Sequence, residues 1–221
     1  MLLVVSFAEC ERSKASSFLR KRESTPRTFG NAPPTDWIPA FTGMTAAGES
    51  EVNMVKDVIA ILVSTPGKLK REIGSMSLQQ MKTRPVADKW SVQEVLAHLE
   101  DIEEIGMRAR VAAMLEGDNP VLPSIDQEKR AEDMKYGRTN PLKSLASFTR
   151  QRQANVKWLR KLRPAQLKRT GTHQTVGVIS VEELVTEWAF HDLGHLKQIL
   201  EIKRYALYPR IGGMKAFYKL S

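Results

Sequence analysis

Apolar residues recur at spacings of three and four along four long stretches of the chain, with turn-forming residues between them. In the last stretch, Leu184, Trp188, His191, His195, Ile199 and Ile202 follow one another at helical spacing and define one buried stripe. In the second, Val95, His98, Ile102, Ile105, Ala109 and Ala112 make a similar stripe. The ends of the helices are marked too. Thr65 before Pro66 reads as an N-cap with proline at the first helical position, opening a helix to about Gly74. A short helical turn, "SLQQM", follows over 77–81. Ser91 and Glu94 form a capping box for a helix running to about Glu116, where "GDNP" stops it. Asn140-Pro141 opens a third long helix that ends before Pro164, and Ser180 with Glu183 opens a fourth over 181–206. The connection 117–140 is long, with a short helix expected near 126–135, and "GTHQTVGVIS" is turn-rich. No strand pattern persists, so the expected class is all-α: a four-helix bundle with a long crossover between the second and third helices.

Residues 1–53 break the pattern. About a third of them are Ser, Thr, Pro or Gly and no period persists, so a disordered tail is expected there, with the helical domain over 54–221. The segment "DWIPAFTGMT" at 36–45 also resembles a peptide that arises when bacterial repetitive DNA is read through as coding sequence, so a wrongly chosen start, with Met54 the true one, is the alternative expectation to an ordinary flexible tail.

Composition narrows the function. The single cysteine, Cys10, excludes an internal disulfide framework and a Cys-based zinc cluster, and a cytoplasmic setting is the expectation. No apolar run is long enough to span a membrane, and "MLLVVSFAEC" lacks the basic flank and cleavage site of a secretory signal. The net charge is +9, and residues 1–53 hold six Lys/Arg against six Asp/Glu, so the whole excess lies in the helical part. Its clusters, such as "KLKR" and "LRKLR", carry no interleaved aromatic residues, so they read as solvated helix faces rather than a nucleic-acid platform.

Three of the four histidines stand where the pattern demands apolar residues. His191 and His195 lie one turn apart on one face, separated by about 40° around the helix axis. A buried imidazole needs partners for both nitrogens, and its charged form is costly to desolvate. A lone core histidine usually finds hydrogen-bond partners. Two in one stripe, with a third on another helix, favour a shared divalent metal. "HDLGH" is not the zincin motif, because Asp192 stands where the general-base glutamate belongs. Di-iron bundles need paired Glu-x-x-His motifs, which this chain lacks.

"KWSVQEVLAHLED" at 89–101, "LEGDNPVLPSIDQE" at 115–128 and "HDLGHLKQI" at 191–199 together resemble the DinB-like (YfiT-like) four-helix-bundle family, over roughly residues 60–205. The resemblance implies an up-down-down-up bundle and a divalent ion (zinc, nickel or iron) held by His98, His191 and His195. It further implies a metal-dependent transferase using a low-molecular-weight thiol such as bacillithiol, mycothiol or glutathione, or a hydrolase. A non-catalytic metal-binding stress or ligand-binding protein is the alternative. The expected partner is a small molecule, with no specific nucleic acid and no membrane, and a homodimer is admitted.

No catalytic side chain is assigned from sequence. Glu187, one turn before His191, is a candidate acceptor for that ring's second proton or else a surface residue, and Asp101, one turn after His98, is a candidate outer partner or proton carrier or else a solvated carboxylate. Asp126 is a candidate rim residue over the metal or simply an N-cap. Trp90 and Trp188 read as core, and His173 as exposed in a loop.

Overall fold

The computed structural model describes residues 47–220; the expectations for residues 1–46 lie outside the described residues. Four long helices build the protein. They are α1 (Ala47–Ile73), the pair α3 (Val92–Ile102) and α4 (Ala109–Glu116), which run on through a π-helical segment at Glu103–Arg108, α6 (Pro141–Leu159) and α8 (Val181–Leu207). The short helix α2 (Leu78–Lys82) precedes α3, and α5 (Gln127–Asp133) with a 3-10 turn at Tyr136–Arg138 lies in the crossover. The helix α7 (Pro164–Leu167) follows α6, and a 3-10 segment, Tyr208–Phe217, follows α8.

Helix directions follow from the two apolar clusters inside the bundle. One joins Val58 and Leu62 of α1, Val111 and Met114 of α4, Val156 and Leu159 of α6, and Leu184 and Trp188 of α8. The other joins Leu69 and Ile73, Val92 and Leu96, Leu145 and Phe148, and Ile199 and Ile202. The early halves of α1 and α8 therefore meet the late halves of the α3–α4 rod and α6. That is an up-down-down-up bundle, as the resemblance implied. Between the clusters lies a buried polar layer that includes Thr65, His98, Glu103, Arg152, Asn155, Asp192 and His195.

Both capping boxes form. The Ser91 hydroxyl accepts from the Glu94 amide while Glu94 accepts from the Ser91 amide, and Ser180 and Glu183 repeat the arrangement. The N-cap expected at Thr65 does not form. Thr65 and Pro66 lie inside α1, and the Thr65 hydroxyl donates back to the Ile61 carbonyl at 3.0 Å. Proline at 66 has no N–H for the Leu62 carbonyl, which would be stranded in the core. The Arg152 guanidinium supplies the missing donor, at 3.1 Å from that oxygen. The helix also starts earlier than expected, and the boundary placed at Met54 falls within it.

The second stripe needs a correction as well. After Ile102 it proceeds to Met107, Val111 and Met114, whereas Ala109 is exposed and Ile105 and Ala112 are half-buried. The step from 102 to 107 is five residues, the period of a π turn, and the Ala109 amide accordingly donates to the Glu104 carbonyl. Gly106 fits this segment because a Cβ there would lie 2.7 Å from the Ile102 side chain.

Strands, unexpected from the pattern, occur near one end of the bundle. Val121–Leu122 (β1) pairs in parallel with Thr170–His173 (β2), which forms a hairpin with Gly177–Ser180 (β3). Gly177 turns the hairpin at φ +85°, a conformation that favours glycine. The sheet ties the start of the crossover to the chain entering α8. Among the described residues no helix is long and apolar enough to cross a membrane.

Candidate metal centre

The three stripe histidines converge. His98 projects from α3, and His191 and His195 from successive turns of α8. The Nε2 atom of His191 lies 3.1 Å from Nε2 of His98 and 3.1 Å from Nε2 of His195. Ring centroids are 4.4 to 5.2 Å apart. His98 and His195 are buried, and His191 is half-buried, so the cluster meets solvent on the His191 side. Among the described residues these three form the one group of His, Cys, Asp or Glu able to hold a metal ion.

Proton counting tests whether a cation fits. Nδ1 of His195 is 2.8 Å from Oε1 of Gln198. An amide oxygen only accepts, so His195 carries its proton on Nδ1 and presents a bare Nε2. If His191 carries its proton on Nε2, that one N–H lies along one direction in its ring plane and serves His195 or His98, not both; if it does not, the bare Nε2 of His195 faces a second lone pair. A cation would accept all three lone pairs together. Zinc–nitrogen bonds of about 2.0–2.1 Å in tetrahedral geometry put the nitrogens about 3.3 Å apart, close to the spacing seen here. The set fits a divalent ion.

Electrostatics prepares the rings for that role. Burial, followed by the neighbouring His195 and His191, holds His98 well below the usual imidazole range. Burial, then His195 and Arg152, does the same for His191. His195 is lowered by burial too, against the opposing effects of Gln198 and Asp192. All three are therefore neutral near pH 7 with lone pairs available.

The crossover and the chain entering α3 wall the cluster on the His98 side. The Trp90 and Tyr136 rings lie 5.1 and 6.2 Å from that imidazole. Arg130 grips Asp101 through two hydrogen bonds of 2.6 and 2.8 Å, and the Tyr136 hydroxyl donates to the same carboxylate at 2.7 Å. Asp101 is thus a clasp between α3 and the crossover, not a solvated carboxylate. Burial alone would raise its pKa, but Arg130 and Tyr136 outweigh that and hold it below its usual value. Asp126 caps α5 by accepting from the Lys129 amide, as its plainer reading expected.

Glu187 is exposed and makes no hydrogen bond to His191 among the described residues. Partial desolvation raises its pKa, with Arg110 pulling the other way. Trp188 is core, as expected, while Trp90 is only half-buried. His173 belongs to strand β2, half-buried, and its Nδ1 accepts from the Thr175 amide.

Sequence reasoning missed the charged layer beside the cluster. Arg152 donates to Glu103 at 2.9 and 2.8 Å, to Asp192 at 2.9 Å and through a further, shorter contact, and to the Leu62 carbonyl. Glu103 also accepts from Asn155 at 3.0 Å and from the Trp188 indole at 2.9 Å. The signal was present: Arg152 follows Leu145 and Phe148 and precedes Leu159 on the apolar stripe of α6.

Comparison with known proteins agrees with this architecture. The family model of the DinB superfamily matches residues 61–199. A protein of Oceanobacillus iheyensis, named provisionally as a metal-dependent hydrolase, is 26% identical over 156 residues, covering 70% of this chain and 89% of that protein. YfiT of Bacillus subtilis, named in the same way, is 28% identical over 151 residues, or 66% of this chain and 82% of its own. The solved structure of YfiT, described as having an unusual four-helix bundle topology, superposes with a TM-score of 0.64 at 23% identity, over 80% of this chain and 95% of that one.

Proposed function

The chain belongs to the DinB superfamily, and we propose that it is a metal-dependent enzyme acting on a small molecule, with His98, His191 and His195 holding one divalent cation, zinc, nickel or iron. The observation that carries this reading is the meeting of three Nε2 atoms that neutral tautomers cannot satisfy among themselves. A bound divalent cation would supply Lewis acidity there and make a water or thiol at its open position more acidic.

The protein's own residues define the rest of the site. Three imidazoles contribute no charge and leave at least one position for a small ligand. A purely structural cation takes four protein ligands, and the group here offers three, which favours the catalytic reading over a metal-storage or sensing role. Trp90 and Tyr136 shield the His98 side, so a substrate approaches past the half-buried His191.

Two reactions suit such a site. Transfer of a low-molecular-weight thiol is supported by the net charge of +9, which attracts the carboxylates that bacillithiol and glutathione carry. Hydrolysis is supported by the names of the relatives.

Elemental analysis of the purified full-length protein beside His98→Ala and His191→Ala tests the metal reading. Near-stoichiometric metal in the parent and little in the variants is expected. Equal content in all three would discard the site. Turnover screens pairing thiols with electrophiles, run beside ester and amide substrates, separate the two reactions.

A further inference from the structure

We infer that Gln198 is a positioning residue of the metal centre: its side-chain oxygen fixes the His195 tautomer and so delivers Nε2 to the cation as a lone-pair donor. The inference rests on the three-histidine reading above but concerns a residue outside the ligand set.

Gln198 lies three positions after His195 on α8, so the two side chains share one face. The Nδ1–Oε1 separation of 2.8 Å is that of a well-formed hydrogen bond. With Oε1 facing the ring, the imidazole is the donor, because an amide oxygen has no proton to give. Without that acceptor a neutral imidazole is free to carry its proton on either nitrogen, and in one of the two forms His195 Nε2 cannot bind a metal. The acceptor also holds the ring plane, which sets where the Nε2 lone pair points.

His98 makes the contrast. Its Nδ1 is buried with no hydrogen-bond partner among the described residues, and its ring is confined instead by Trp90 and Tyr136. One imidazole is therefore oriented by packing and the other by a specific hydrogen bond. Only the second orientation is open to removal by a single side-chain exchange of similar size.

The test uses the full chain, stripped of metal, with zinc affinity measured by competition against a chromophoric chelator. Gln198→Leu keeps the volume and helix propensity but removes the acceptor; Gln198→Glu keeps an acceptor. Loss of an outer partner of this kind costs about 10–100-fold in metal affinity. Gln198→Leu should weaken zinc binding by that factor, while Gln198→Glu binds at least as tightly as the parent. A role limited to helix stability would instead lower the melting temperature of the metal-free Gln198→Leu protein and leave its affinity within twofold of the parent, which would overturn the inference. Equal weakening by both substitutions would overturn it too. Failure of the parent to bind zinc, nickel or iron would remove the metal site itself and the inference with it. Long-range proton–nitrogen NMR of the metal-free parent gives an independent reading that needs no variant. A His195 proton on Nδ1 supports the assignment, and one on Nε2 overturns it.

Discussion

Replacing Arg152 with methionine should be among the most destabilising single changes available to this protein. The Arg152 side chain is 2% exposed, and those of its partners Glu103 and Asp192 are 1% and 0% exposed. Methionine has similar length and a high helix propensity, so α6 itself should not suffer. What changes is the charge layer. Removing one member of a buried ion pair costs about 3–5 kcal/mol, because the remaining charge stays desolvated. The Leu62 carbonyl loses the donor that replaces the missing Pro66 N–H, which adds about 1–3 kcal/mol. The sum, about 4–8 kcal/mol, compares with a total of about 5–15 kcal/mol for an ordinary domain.

Urea unfolding followed by circular dichroism, in the presence of a chelator to remove linkage to metal, measures the loss. The reasoning has a second consequence. If stranded negative charge is the main cost, adding Glu103→Gln to Arg152→Met should restore part of the lost stability. A loss below about 1 kcal/mol for the single variant would refute the argument, since that is the ordinary scale of a surface pair. So would a further loss in the double variant.

Two other outcomes are expected. Gly194 lies inside α8 between His191 and His195, and a Cβ built there meets nothing within 4 Å, so Gly194→Ala should stabilise the chain by about 0.5–1 kcal/mol in the same assay; destabilisation would show a packing constraint at that position. Asp101→Asn should cost about 1 kcal/mol at pH 7, a modest figure because Arg130 is partly solvated. The folded state depresses the Asp101 pKa, so this contribution is present above the unfolded value of 3.8 and is lost as the pH falls through the lower folded value. The two proteins' stabilities should therefore converge in acid, and a constant gap between them down to the lowest pH at which both fold would contradict the clasp.

The histidines were legible because an imidazole interrupts an apolar stripe conspicuously and the chain has few of them. Arg152 interrupts its own stripe just as clearly, yet a long cationic side chain usually reaches solvent by lying along the surface, so its pattern carries less force. Thr65-Pro66 misled for a physical reason. The dipeptide is a good helix start locally, and what lets it sit inside α1 is a guanidinium 90 positions from the carbonyl it satisfies. The π segment leaves no local mark that distinguishes "EEIGMR" from ordinary helix, so the stripe drifted after Ile102. The strands are two to four residues long, below the length at which alternation can be read, and β2 depends on a partner far away in the chain. Gln198 was invisible for another reason: an exposed-looking glutamine on a helix acquires meaning only once the neighbouring ring's proton has been placed.

The charged layer and the imidazole cluster share one requirement, the rotational setting of α8. Asp192 follows His191 directly, so it points about 100° further round the helix. That is enough to aim it at Arg152 inside the bundle while His191 and His195 face His98 on α3. Apolar contacts alone hold such a setting weakly, because Val, Leu and Ile tolerate repacking at small cost. A carboxylate that must meet a guanidinium does not tolerate it, since a helix rotated by one residue would strand both charges. Buried ion pairs contribute little net stability compared with a well-packed apolar replacement. Here the pair has a different use: Arg152 is itself tethered to Glu103 on the same continuous helical rod that carries His98, so the histidines of the two rods are kept in register by one guanidinium. An apolar substitute for the whole layer could match the stability of the bundle and still let the three ring nitrogens separate.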